Sequence, residues 1–323
     1  MSVVVPVFRA EEHLAGLLAD LAPLTSSGTT PGGLPFRVAE VLLVNDCGPD
    51  DSAGVMRRLE REHPWVRTIW LSRNFGQHAA TLAGMASSGG DWIVTMDEDG
   101  QHDPADLPTL LDVAMSEQVS VVYARPVNAA PHGRLRNTAS YAAKRAVRVM
   151  SGGVDASMFH SYRLILGEVG RSLAAYAGSG VYLDVALGWV TRSAATAPVR
   201  LRSEGAGRRS GYSLRSLLSH FWRMVLTNGT RGLRVVSLLG LLFAVAGLLF
   251  AAFLVVNQLV NPVPTEGWTS LVVVILICTG VILFSLGVIA EYIGVAVNMA
   301  MGKPLYLITQ DPEDGPLGRR PHA

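Results

Sequence analysis

Residues 235–256 and 270–290 contain no charged side chain. Either run, wound as a helix, is long enough to cross about 30 Å of hydrocarbon. A 323-residue chain that is 49% hydrophobic and 16% charged is rich for a soluble protein, and these runs hold much of the excess. Two buried core helices are the alternative; two membrane-spanning helices fit the length better.

The flanks set an orientation. Arg231 and Arg234 precede the first run, Lys303, Arg319 and Arg320 follow the second, and the connecting QLVNPVPTEGWT has no Lys or Arg. The positive-inside rule then predicts a multi-pass protein with its long N-terminal region and its C-terminus in the cytoplasm. Trp268 and Tyr292 suit interfacial anchors. The opening SVVVPVF is strand-length, lacks a basic lead-in and is broken by Pro6, so no signal peptide is expected. Cys47 and Cys278 fall in different compartments of this scheme, which excludes a disulfide framework or a zinc site. A net charge of +1 gives no footprint for nucleic acid.

The first 125 residues alternate. SVVVPVF, VAEVLLVND, VRTIWLS, DWIVTMD and VSVVYA are short runs rich in Val, Ile and Trp, with helical candidates between them at 11–21, 51–62, 77–87 and 104–115. Such alternation predicts an α/β domain with a mostly parallel sheet covered on both faces. Ligands bind such sheets beyond the carboxyl ends of the strands. Asn45–Asp46, Arg73–Asn74 and Asp97–Asp99 all fall there, on one rim. TSSGTTPGGLPF (25–36) reads as a solvated loop and TAPVRLR (196–202) as a late strand. In SLRSLLSHFWRMVLTNGTR, Leu214, Leu217, Leu218, Phe221, Trp222, Val225 and Leu226 recur at helical spacing. That segment leads into the first apolar run and reads as a helix lying on the membrane, or as one packed on the sheet. The expected units are a catalytic domain (1–212), an interfacial helix (213–232), a two-helix membrane domain (233–297) and a C-terminal tail (298–323).

VTMDEDGQHDP crowds Asp97, Glu98 and Asp99 onto a strand end. Two carboxylates at D-x-D spacing can share a hard divalent cation, which offsets their repulsion and favours oxygen ligands. Alone the pattern is weak, because acidic turns after strands are commonly just solvated. Asp50 or Asp51 reads as a helix N-cap. Asp46, at a strand tip, can accept hydrogen bonds from a base or ribose. His78 and His102 flank the rim, where either could touch phosphate or metal; the plainer readings are a surface turn residue for His102 and a solvent-facing helix position for His78.

Together VVVPVFRAEEHL, LLVNDCGPDDS and LSRNFGQHAATLAGMASSGGDWIVTMDEDGQHDPADLPTLL resemble the successive motifs of family-two glycosyltransferases of GT-A fold. More narrowly, the chain is similar to polyprenyl-phosphate glycosyltransferases of the dolichol-phosphate mannose synthase and undecaprenyl-phosphate glucosyl- or aminoarabinose-transferase type. The likeness continues through MFHSYRLI, SGYSLRSLL and GVIAEYIG…GKPLYLI, so it spans nearly the whole chain. It implies a GT-A, Rossmann-like domain in the cytoplasm, held at the inner membrane, and a homo-oligomer, for which Gly240/Ala244 and Ala290/Gly294 offer small-residue spacings. It also implies a metal-dependent transfer, with Mg²⁺ or Mn²⁺, of a single sugar from a nucleotide sugar, a UDP-sugar rather than a GDP-sugar, to polyprenyl phosphate with inversion. By the same resemblance Pro6 and Val7 line the nucleotide pocket, Asp46 meets base or ribose, Arg73 lies near the donor, and Asp97 and Asp99 hold the metal-diphosphate. Gln101 would stand beside the sugar, Asp155 at a catalytic position, and Arg163, Arg208 and Arg209 at the acceptor phosphate.

The chain departs from the pattern on the acceptor side. Gly211 in RRSGYS stands where a Lys is usual, Gly205 near a usual Arg, and Val295 and Met299 near a usual Arg and acid. A phosphate monoester is mostly dianionic at pH 7, with a second pKa near ~6, so the nucleophile needs no strong base. It needs cations along its path, and Arg134, Arg136, Lys144, Arg145, Arg148, Arg163, Arg202, Arg208 and Arg209 lie between sheet and membrane runs. Lys144 and Arg148 suit anionic lipid headgroups. A processive polysaccharide synthase is one alternative, although no Q-x-x-R-W string occurs. A non-catalytic, membrane-anchored nucleotide-sugar binder is another.

Overall fold

Six residues of unbroken burial, Ser2–Val7, form the central strand β1 of an eight-stranded sheet. The computed structural model describes residues 1–128, 158–178, 182–191, 193–202, 267–302 and 304–315, with scattered positions between 236 and 260. After β1 come α1 (Leu14–Leu21), the short pair β2 (Gly28–Thr29) and β3 (Pro35–Phe36), β4 (Glu40–Asn45) and α2 (Ser52–Glu62). Next follow β5 (Val66–Leu71), α3 (Gln77–Ser87), β6 (Trp92–Thr95), α4 (Leu107–Glu117) and β7 (Val121–Pro126). Then come β8 (Arg163–Leu166), α5 (Gly167–Tyr176), α6 (Leu183–Val190), β9 (Ala195–Val199), α7 (Trp268–Ala300) and β10 (Ile308–Thr309).

The large sheet has the order β10-β5-β4-β1-β6-β8-β7-β9. The β1–β4, β1–β6, β4–β5 and β7–β9 pairs are parallel, whereas β8 and β10 run antiparallel to their neighbours. Side chains alternate across a strand, and both faces of β1 are covered. Val3, Val5 and Val7 join Leu14, Leu18, Met56, Leu107 and Leu110 from α1, α2 and α4. Val4 joins Leu82, Ala83 and Met85 of α3, Leu173 of α5 and Leu187 of α6. Burial on both faces explains why these strands read as continuous apolar runs. The approach of α3 is close: a Cβ on Gly84 would lie 2.3 Å from Val4 Cγ1.

The chain builds outward from β1 through β4 to β5, then returns to place β6 on the other side of β1. That reversal is a topological switch point, and a crevice opens there beyond the strand ends. It positions everything that follows.

Two expectations are corrected. The stretch 25–36 is not simply a solvated loop. It contains the β2–β3 pair, and Asp112 of α4 accepts from Thr30 Oγ1 at 2.5 Å and from Gly32 N at 2.8 Å. Within the C-terminal segment 298–323, Ile308 and Thr309 pair with Leu71 and Trp70 as an edge strand. The late strand stops at Val199, short of the expected Arg202.

Helix α7 extends the second apolar run to 33 residues. Its window Ile277–Gly294, with mean hydropathy 1.9 and only 6% buried, is the one helix among the described residues long and apolar enough to cross a membrane. Described positions between 236 and 260 are helical. Most of the interfacial segment and first run, with Asp155, Gly205, Arg208, Arg209, Gly211 and the basic residues of 134–148, lie outside the described residues.

Candidate active site

Beyond β1, β4 and β6 lies a cavity of about 410 Å³, lined by Pro6, Val7, Phe8, Asp46, Asn74, Gly76, Gln77 and Asp97–Asp99. A second, of about 380 Å³, shares Pro6, Gln77 and Asp97 with it and continues to His160, Ser161, Arg163, Tyr182 and Asp184. Asp97 stands on the wall between them.

Asp46 is buried and holds the loop after β5: its carboxylate accepts from the backbone N–H of Phe75 at 2.7 Å and of Gly76 at 2.9 Å. Burial pushes its carboxyl above the usual range, and those two N–H bonds pull the other way. Gly76 takes φ +92, a left-handed conformation that side chains resist, and this lets its N–H turn toward Asp46. Each carboxylate oxygen has a further lone pair, and Asp46 lines the cavity. Next to it Cys47 also has positive φ (53), with its N–H donating to Asn45 Oδ1 at 2.7 Å. A non-glycine residue in that region is uncommon. Arg73 is exposed, its guanidinium 4.4 Å above the Phe75 ring.

The three crowded acids divide their work. Glu98 accepts from Phe8 N at 2.6 Å and Arg9 N at 3.0 Å, fastening the loop after β1. Asp99 accepts from Gln101 N at 3.1 Å, closing a tight turn. Gln101, expected beside a sugar, forms this turn, and its carbonyl accepts from Arg202 N at 2.9 Å. Asp97 Oδ1 accepts from Gln77 Nε2 at 2.5 Å and Oδ2 from Ser161 Oγ at 2.5 Å. Burial pushes the Asp97 carboxyl up. The Ser161 bond opposes that, Asp99 adds to it, and Arg163 and His160 oppose it.

His102 is corrected from a surface turn to a buried residue, 3% exposed. Its Nδ1 accepts the Asp97 backbone N–H at 3.0 Å, which places the proton of the neutral ring on Nε2. Burial lowers its pKa to about 4, and that of His160 to about 4, so both rings are neutral at pH 7. The His102 ring stacks on Tyr162, with centroids 4.8 Å apart. His78 lines the second cavity against Tyr182, their ring centroids 4.2 Å apart.

Arg163 was expected at an acceptor phosphate. It lines the second cavity, is 3% exposed, is paired with Asp184 and is bonded through Nε to Thr95 Oγ1 at 3.0 Å. Burial works against its charge, but Asp184 more than offsets this and raises its pKa. The pair forms the floor of the second cavity. Arg202 is engaged by Asp20 and Asp103. Asp50, one of the two cap candidates, accepts from Ser52 Oγ at 2.7 Å and Glu11 N at 3.2 Å, and Asp51 makes no side-chain cap bond.

The sequence reading missed Gln77, Ser161 and Asp184. Asp184 carried a signal, since one acid in the apolar run YLDVALG demands a buried partner. Gln77 and Ser161 carried none beyond their place in RNFGQHAA and MFHSYR.

An open, mostly parallel sheet whose switch-point crevice ends in paired carboxylates defines an α/β protein of the GT-A class. The chain belongs to glycosyltransferase family 2, among its polyprenyl-phosphate glycosyltransferases. The profile "Glycosyl transferase family 2" matches residues 2–160. An undecaprenyl-phosphate 4-deoxy-4-formamido-L-arabinose transferase of Pseudomonas paraeruginosa is 31% identical over 322 residues, covering 95% of this chain and 89% of the relative. The Edwardsiella ictaluri transferase of the same name is 28% identical, covering 95% and 93%. The crystal structure of M. tuberculosis glucosyl-3-phosphoglycerate synthase shares the fold, with a TM-score of 0.50 and 16% identity over 71% of this chain and 79% of that one.

Proposed function

We propose that this protein transfers one sugar from a nucleoside diphosphate sugar to a polyprenyl phosphate, with undecaprenyl phosphate, the acceptor named for its relatives, as the substrate. The observation that carries the reading is Asp97, a half-buried acid at the switch point between two cavities and bonded on both oxygens by neutral donors.

The cavity beside Asp46 takes the nucleoside, with Pro6 and Val7 as its wall and Arg73 at its mouth. The donor's diphosphate lies at Asp97 and Asp99, and its sugar points into the cavity floored by Arg163 and Asp184. A UDP-sugar is the expected donor. Among the described residues no group of three or more His, Cys, Asp and Glu could hold an ion unaided. Asp97 and Asp99 fit instead the magnesium habit of one or two carboxylates completed by substrate phosphates. When bound, Mg²⁺ or Mn²⁺ supplies Lewis-acid stabilisation of the leaving diphosphate. Gln77 and Ser161 fix the Asp97 carboxylate by bonds to its two oxygens. Neutral His102 keeps the Asp97 backbone in place without adding charge. The acceptor phosphate, already anionic, attacks the anomeric carbon in a single inverting displacement, with Arg208 and Arg209 as its binding cations and Asp155 beside the reacting centre.

The acceptor arrives in the bilayer, and the chain's path supports the active-site rim facing it. Strands β5 and β10 share one sheet, so the segments before and after the apolar runs lie on one side of a membrane. An even number of crossings is then required. Helix α7 supplies one, and the run 235–256, with Leu242, Leu249 and Phe253 exposed, supplies the other. On this reading the catalytic domain and the C-terminus lie together, and the Arg and Lys residues flanking the apolar runs favour the cytoplasmic face of the inner membrane.

The test is incubation with undecaprenyl phosphate, Mg²⁺ or Mn²⁺ and a panel of nucleotide sugars, followed by mass analysis of the lipid fraction. A lipid carrying one sugar is expected. A polymer, or metal-dependent nucleotide binding without any glycolipid, overturns the reading.

A further inference from the structure

Immediately after α7 the chain returns to the sheet at the donor side. Ala300 ends the helix, and the Leu307 carbonyl accepts the backbone N–H of Ser72 at 3.0 Å. Seven residues span at most about 25 Å, so the helix end and the rim are held close. Leu305 and Tyr306 pack against the α3 side of the core, and Thr309 Oγ1 donates to the Trp70 carbonyl at 3.3 Å. Arg57 of α2 then locks the segment. Its Nε and Nη2 reach Asp311 at 2.6 and 2.7 Å, its Nη1 reaches Glu313 at 2.6 Å, and its guanidinium lies 4.7 Å above the Trp70 ring. Asp311 also accepts from Glu313 N at 3.0 Å, which shapes the turn that presents both acids.

Ser72 opens the loop whose Phe75 and Gly76 N–H groups donate to Asp46. One end of that loop is therefore fixed by the C-terminal segment and the other by the donor cavity's buried acid. We infer that residues 304–313 form a clasp, locked by Arg57 and Asp311, that couples the end of the membrane helix to the nucleotide-binding loop 72–76. Arg57, Asp311 and Glu313 are positioning residues that touch no cavity of the site. A two-residue edge strand alone offers little; the bidentate pair stacked on Trp70 makes the attachment specific. The inference rests on the donor reading of the cavity for its functional consequence, though the loop coupling itself is independent of any ligand.

The experiment uses the full chain in lipid nanodiscs, with Arg57→Glu, Asp311→Arg and the charge-swapped double variant. Two quantities are read: amide hydrogen exchange of 72–76 against that of β1 and β4, and affinity for UDP with Mn²⁺. Each single variant should speed exchange at 72–76 by about tenfold with β1 and β4 unchanged, as expected for a local opening. UDP–Mn²⁺ affinity should fall about three- to tenfold, the scale of reordering one loop. The double variant should recover more than half of both effects. Unchanged exchange at 72–76, equal loosening of β1 and β4, or no recovery in the double variant overturns the clasp. Wild-type protein that binds no UDP would instead overturn the donor reading, and the exchange data would still decide the coupling.

Discussion

Asp97 and Asp184 both lie within reach of Arg163, in the same cavity wall, yet they are treated in opposite ways. Asp184 is paired directly with the guanidinium and is 3% exposed. Asp97 receives only neutral hydrogen-bond donors, and burial pushes its carboxyl up. A buried charge that is neutralised in place belongs to the architecture. Asp97 is held by neutral donors instead, and under the proposed reading its carboxylate, at D-x-D spacing from Asp99, suits a cation completed by substrate phosphates.

The sharpest way to break this contrast is to neutralise the unpaired side. Asp97→Asn with Asp99→Asn should lower glycolipid formation by about 10³-fold or more, the scale of losing the groups that stabilise a developing charge. Melting temperature should barely change, because an uncompensated acid is removed. The paired side should respond the other way. Arg163→Met leaves Asp184 buried without its cation and should cost about 3–5 kcal/mol of stability, read by denaturant unfolding of the full chain. Adding Asp184→Leu should return a large part of that loss.

Smaller changes sharpen the comparison. Ser161→Ala removes one hydrogen bond to the Asp97 carboxylate, an interaction worth about 1.5–3 kcal/mol for a charged acceptor. It should weaken metal-dependent UDP binding and lower unfolding stability by no more than that amount. The smallest effect is on pH. Arg57 holds the Asp311 carboxyl below its ordinary value. The stabilising contribution is therefore complete above the ordinary carboxylate range of about 4 and lost as pH falls through the folded value. Exchange at 72–76 should rise on acidification in that window, and less so in Asp311→Asn.

Much of the sheet was legible because its strands are buried on both faces, which leaves continuous runs such as Val41–Val44 between turn signals. Helix α3 matches its expected bounds because Gly76 marks its start and Ser88 its end. The placement of Asp46, Asp97 and Asp99 on one rim was legible because each follows a readable strand end, and all three line one cavity. The partners of those acids were not. Ser161 reaches Asp97 across 64 positions and Asp184 reaches Arg163 across 21, contacts that no local periodicity encodes. His102 was misread because QHDP looks like a turn, and it is one, but the ring folds inward beneath Asp97. Strand β10 was missed because two residues are too short for a period-2 signal, and its pairing with β5 spans more than two hundred positions.

The most direct measurement is the affinity of the purified full-length protein for UDP, titrated calorimetrically with Mn²⁺ and with EDTA. Binding should be at least about tenfold tighter with the ion, a gap of about 1.4 kcal/mol, and the gap should vanish in Asp97→Asn/Asp99→Asn. Equal affinity with and without metal in the wild-type protein would contradict an acid-held cation at the switch point.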